Sequence, residues 1–223
     1  MPVSPNVDGA PPVQRLRITF AVAREARYAS HLDLTRAWVR ALRRLGAPLA
    51  YTHGFNPHPR ISVGAPLPVG FAGERELLDV YFDAALDSQE LAERLRGELP
   101  AGLTLHRAEA VPLEAPALPS QVVAADYVVS FFEPASDLEE RVKRLMAAES
   151  LPFTRVRQGK EIRFDLRPRM LRAEVQERGG QPILLLRLTL GTSGAARPED
   201  VVAALGLEPR NARPTRTGLV LAQ

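Results

Sequence analysis

The chain contains no cysteine and only two lysines, Lys143 and Lys160. The missing cysteine excludes disulfides, thiolate metal sites, iron–sulfur ligation and a cysteine nucleophile within this chain. No apolar run approaches the ~20 residues that a membrane-spanning helix needs. The N-terminus lacks the basic start and apolar core of a secretory signal. These absences predict a soluble cytoplasmic protein with no membrane association. No G-x-S-x-G, Walker loop or G-x-G-x-x-G occurs in the strand–helix setting each requires. The scarcity of lysine means that 27 of the 29 basic residues are arginine, with a net charge of +3. Guanidinium forks suit phosphates and carboxylates and stack on bases, but an arginine excess alone does not establish nucleic-acid binding.

What is present is a regular alternation of elements. The 223 residues suffice for one large domain or two small ones. Residues 1–14, rich in Pro, Gly and Asn, predict a disordered tail. Leu16, Ile18 and Phe20 alternate with Arg17 and Thr19, as in a half-buried strand. Ser30 and Asp33 form a capping-box pattern before a helix with Leu34, Trp38, Ala41, Leu42 and Leu45 on its apolar stripe. Short strands are expected near residues 49–51 and 61–63, and a longer one at 77–82. Asp87 and Glu90 then open a second helix, and residues 103–111 supply a closing strand. Residues 112–121 read as a linker. The pattern then roughly repeats over 122–223. Strand 127–132 precedes a helix opened by Ser136, a hairpin turns at Gln158-Gly159, and two strands flank Arg178-Gly-Gly180. A helix starting at Pro198 and a last strand at 217–221 complete it. The expected fold is α+β, with two tandem ferredoxin-like (β-α-β-β-α-β) units at 15–111 and 122–223.

The segment 51–70 concentrates candidate functional residues. Four prolines, three glycines and two of the four histidines lie within it. Proline removes N–H donors and restricts the preceding residue, so a stiff loop should present Phe55, Asn56, His58, Arg60 and Ser62. Arg36, Arg40, Arg43 and Arg44 fall opposite Trp38 on the first helix, as a stripe able to follow phosphates or as a plain solvated face. His31 begins that helix beside Asp33. His31, Asp33 and His58 are the candidate acid–base groups, as a His58–Asp33 pair or singly. A metal at His53 and His58 would need a third ligand from His31, Asp33 or Asp79, and the spacing demands none. No metal or cofactor is expected. A second candidate, residues 190–199, joins a strand end to a helix start, where Thr192, Ser193, Gly194 and Arg197 would cradle an anion or merely cap a turn. Arg213 and Arg216 precede the last strand, and the arginine-rich segment 155–172 would extend a basic surface.

The run Gly54-Phe-Asn-Pro-His-Pro-Arg-Ile-Ser62, with Gly64 and Pro66-Leu-Pro-Val-Gly70, resembles the signature of a bacterial family of uncharacterised proteins linked to radical SAM enzymes. Tyr28, His31, Leu32 and Asp33 fit that family, as do Gly191-Thr-Ser-Gly194, Arg197-Pro198 and Arg216-Thr-Gly218. The likeness spans about 15–221. It implies a chain that works beside a radical SAM protein, because the cysteines ligating that enzyme's cluster are absent here. The genomic setting of such families, near ribosomal-protein and ribonuclease genes, implies RNA.

Three functions follow as expectations. One is a non-catalytic accessory protein presenting tRNA or rRNA to a radical SAM partner, with Phe55 stacking on a base. Asn56 and His58 would read base edges or a ribose hydroxyl, while Arg60 and the helix arginines, Arg36 and Arg40 among them, would hold phosphates. Ser62, Ser193, Gly194, Arg197 and Arg216 complete the candidate nucleic-acid or ligand-binding residues. The others are a protein-interaction adaptor for that partner, and an enzyme using His31 or His58.

Overall fold

The computed structural model describes residues 11–157, 159–191 and 194–222. Most of the expected tail lies outside these residues. Its end does not: the Val13 N–H donates to the Phe82 carbonyl at 2.8 Å, and Gln14 already pairs with Phe82. The chain divides into two compact units, Met1–Gln121 and Val122–Gln223. Both are α+β with antiparallel strands, and the described residues hold five α-helices, none long and apolar enough to cross a membrane.

In the first unit the order is β1 (Gln14–Val22), α1 (His31–Arg44), β2 (Ile61–Val63), β3 (Ala72–Phe82), α2 (Ser88–Arg96), β4 (Leu103–Val111) and α3 (Leu118–Gln121). The strands lie in the order β4-β1-β3-β2. Local chemistry explains α1. The Asp33 N–H donates to Ser30 Oγ at 3.2 Å while the Asp33 carboxylate accepts from the Ser30 N–H, which closes the capping box. Its stripe buries Trp38, Ala41 and Leu42. Trp38 meets Phe20 of β1 edge-on, with ring centroids 5.0 Å apart. On α2 the Asp87 side chain accepts from the N–H groups of Gln89 and Glu90.

The alternation in β1 predicts one buried face, yet both faces are buried. Leu16, Ile18 and Phe20 are nearly inaccessible, and so are Arg15 and Thr19 on the opposite side. The physical reason lies in residues 112–121. They do not run free as a linker: Leu118 is fully buried, and the carbonyls of Ala115 and Pro116 accept from the Arg15 guanidinium at 2.6 and 2.9 Å.

The second unit runs β5 (Val122–Phe131), α4 (Leu138–Ala147), β6 (Pro152–Arg157), β7 (Lys160–Asp165), β8 (Met170–Arg178), β9 (Gln181–Thr189), α5 (Pro198–Ala204) and β10 (Ala212–Leu221). Its main sheet has the order β10-β5-β9-β8, and β6 and β7 form a separate two-stranded sheet. A lone hairpin is marginal in water. Asp165 secures its base by accepting from Leu151 N–H, Ser150 Oγ and Arg167 N–H, and these bonds hold its carboxyl below the usual range. Further along, the Arg155 guanidinium pairs with the buried Asp200 of α5.

Candidate nucleic-acid interface

The Pro-rich motif forms a braced hairpin beside the edge of the first sheet. Leu49 bridges to Phe82 and Tyr51 to Pro59. The Thr52 N–H donates to the His58 carbonyl at 2.8 Å, and the His58 N–H returns to Thr52 Oγ1 at 3.0 Å. At its base the Arg60 N–H donates to the Ala50 carbonyl, and the Ala50 N–H to Tyr81 of β3. Gly54, with φ of +117°, makes the turn that an L side chain would resist. Everything from Thr52 to His58 is exposed, and the Phe55 side chain is as accessible as in an extended peptide, at 106%. The side chains of Asn56 and His58 have no hydrogen-bond partner among the described residues.

Two guanidinium–aromatic pairs stand at the foot of the hairpin. Arg60 covers the Tyr81 ring at 4.3 Å. Arg43, near the end of α1, lies 5.9 Å from the Tyr51 ring and donates to its hydroxyl at 3.3 Å. Such stacks hold a cation in place and leave its outer face free for phosphate or base.

Behind Arg60 the same sheet face is closed. Arg15 lies opposite Tyr81, and Arg17 opposite Asp79, which also faces Ser62 across β2. Asp79 is fully buried and accepts from Arg15 Nε and Nη2 at 2.9 and 2.6 Å, and from Arg17 Nε and Nη2 at 2.8 and 3.0 Å. This carboxylate is saturated by guanidinium groups, so it is not the third ligand that a metal at His53 and His58 would require. The signal for it was a single Asp in the apolar strand Leu77-Leu-Asp-Val-Tyr-Phe82.

The acid–base candidates separate. His31 and Asp33 stand at the start of α1, whereas the hairpin meets α1 near Arg43, ten residues beyond Asp33. At ~1.5 Å per residue this is ~15 Å along the axis. His58 and Asp33 therefore form no pair. Hydrogen bonds from Ser30 hold the Asp33 carboxyl below its ordinary range. The predicted arginine stripe is also depleted. Arg36 lies 3.7 Å from Asp33, Arg43 is stacked on Tyr51, and Arg44 pairs with Glu98 at 2.8 Å. Arg40 remains exposed, with its Nε directed to the Arg36 carbonyl.

In the second unit the loop before α5 is engaged internally. The Arg197 N–H donates to the Asp200 carboxylate at 2.7 Å, and Thr189 Oγ1 donates to the Gly194 carbonyl at 2.8 Å. The Ala195 carbonyl accepts from Arg155 and Arg169, and these two arginines flank the Phe164 ring at 5.0 and 4.1 Å. The N–H at the helix start thus meets the chain's own carboxylate. Arg197 is exposed, while Thr192 and Ser193 lie outside the described residues. Glu199 is half-buried with a buried Oε2 that lacks a partner among the described residues, and burial pushes its carboxyl up. Arg216 is 1% exposed in β10, so it offers no surface to a ligand.

Sequence reasoning missed the aromatic partners Tyr51 and Tyr81, because nothing local marks a ring as the seat of a distant arginine. No curated protein matches the chain. It matches, over residues 15–198, the family described as uncharacterized protein conserved in bacteria (DUF2344), and it belongs to that family.

Proposed function

We propose that the chain is a non-catalytic accessory protein that binds RNA, tRNA or rRNA, beside a radical SAM enzyme, and that its two units are ferredoxin-like repeats. The strand orders β4-β1-β3-β2 and β10-β5-β9-β8 support the repeat reading. The observation that carries the RNA reading is the braced hairpin with a fully exposed Phe55 at its tip and Arg60 at its foot. An aromatic ring held in water by a stiff backbone is a stacking platform in search of a π-face. The radical SAM link rests on the sequence resemblance, and the cluster ligands would belong to the partner because this chain has no cysteine.

Filter binding to total tRNA at several salt concentrations tests the proposal. Affinity should fall with salt, and Phe55→Ala with Arg60→Ala should weaken it by tenfold or more, on the ~1–3 kcal/mol typical of one stacked base. Binding that ignores salt and survives the double variant would defeat it.

A second reading, an adaptor for the same partner, is favoured by a different place. Tyr28, Leu32 and Val69 are each more than 60% exposed, and the Gly70 N–H bonded to the Arg27 carbonyl brings two of them together. Association with the radical SAM protein that resists nuclease but not Leu32→Asp would favour that reading.

A further inference from the structure

We infer that the hairpin tip is built for an unpaired RNA base, stacked on Phe55, rather than for duplex RNA. This rests on the RNA reading above and narrows its substrate class. The first argument is the ring itself. Phe55 contacts no other aromatic ring among the described residues, and its full exposure leaves both faces open. A base within a duplex already has neighbours on both of its faces, whereas a loop or single strand can present one.

The second argument is charge. Proteins that follow a duplex neutralise a row of phosphates. Along α1 of this unit the arginine row is broken up, with Arg36 beside Asp33, Arg43 bonded to the Tyr51 hydroxyl and Arg44 paired with Glu98. Arg40, and Arg43 and Arg60 on their tyrosine rings, keep an outer face toward solvent near the hairpin. So sparse a set gives weak phosphate tracking and shifts recognition onto stacking. The third argument is pre-organisation. The Thr52–His58 bonds, the Tyr51–Pro59 bridge, Pro57 and Pro59 fix the tip before any ligand arrives, so little ordering cost opposes binding. Asn56 and His58 lie in the same exposed tip, and their side chains have no hydrogen-bond partner among the described residues, which leaves them free for a base edge.

The test uses the full chain and one mixed-sequence RNA oligonucleotide, single-stranded or annealed to its complement. Trp38 is the native tryptophan and is 1% exposed. In Phe55→Trp, the introduced indole therefore supplies the solvent-accessible emission. Single-stranded RNA should bind about tenfold more tightly than the duplex. It should quench the introduced indole and shield it from acrylamide. Phe55→Ala should lose about tenfold in affinity for the single strand, with little change for the duplex. Equal or tighter duplex binding, or single-strand binding that leaves the indole open to acrylamide, overturns the inference while the RNA reading stands. If neither RNA form binds, both fall. Shielding of the indole by the partner protein in place of RNA overturns this inference in favour of the adaptor.

Discussion

Replacing Asp79 by alanine should remove a large part of the first unit's stability. Arg15 and Asp79 have no accessible side-chain surface, and Arg17 has 14%. The four N–H bonds to Asp79 neutralise one of the two guanidinium charges beside it, and the carbonyls of Ala115 and Pro116 serve Arg15 further. Without the carboxylate, Arg17 can turn toward water, but Arg15 is left as an uncompensated buried cation. Breaking a buried ion pair in this way costs ~3–5 kcal/mol. That is about a fifth or more of the ~5–15 kcal/mol that typically holds a domain. For a unit of this size it should lower Tm by roughly 10–20 °C. Urea denaturation followed by Trp38 emission reads the first unit alone, because Trp38 belongs to its core. The double variant Arg15→Met/Asp79→Leu removes charge from both sides and should recover more than half of the loss, since apolar replacement of a buried pair is often near neutral. A loss below ~1 kcal/mol in Asp79→Ala would refute the reasoning, given the ~3–5 kcal/mol expected of a broken buried pair. So would a double variant no more stable than the single one.

Two further outcomes follow from local geometry. Glu199→Gln should raise Tm by a few degrees at about pH 7.5 and leave it unchanged near pH 4. Burial lifts the folded-state pKa of Glu199 above its unfolded value, so its contribution is full below the unfolded value and is lost as pH rises through the folded one. A Tm difference that stays constant across that range would count against this account. Gly102→Ala should cost about 2–3 kcal/mol in urea titrations, from left-handed backbone strain and from overpacking. Gly102 has φ of +86°, and an added Cβ would stand 2.6 Å from that of Ala26. A wild-type midpoint would show that the loop yields instead.

What the sequence made legible is what is encoded within a few residues. The caps at Ser30 and Asp87 and the stripe through Trp38 and Leu42 depend on neighbours one turn away, and they appear where the pattern puts them. The helix after β5 shows how a local contest goes unseen. Ser136 was the expected opener, but α4 starts at Leu138 after Asp137, whose side chain makes no cap bond because it pairs with Arg141 at 2.8 Å. The arginine stripe failed for a non-local reason. Periodicity puts Arg43 and Arg44 on one face, but Tyr51 and Glu98, eight and 54 positions away, decide what they do. The buried network is less local still, since Asp79 reaches its partners over 64 and 62 positions. Register across β1 and β3 creates it, and register is a property of the assembled sheet.

Those non-local contacts relocate the search for an interface. Sheets of this strand order bind RNA in many proteins through an open face, and that analogy would direct attention to β1 and β3. Here that face holds Arg15, Thr19 and Asp79 out of water, and residues 112–121 are bonded across it through Arg15. Opening it to a ligand would expose the ion network whose loss is expected to cost several kcal/mol. The hairpin carries no such penalty, because its tip is already in water and the Thr52–His58 bonds across it join its own two arms. Tyr81 joins the two regions, with Arg15 at 5.4 Å and Arg60 at 4.3 Å from its ring. Under the proposed function, Arg15 serves stability and Arg60 would serve recognition. Substitutions at Asp79 should therefore move the unfolding midpoint and substitutions at Phe55 the affinity. Arg60 is the position where the two readouts should shift together, because the cation that faces solvent also covers a core ring.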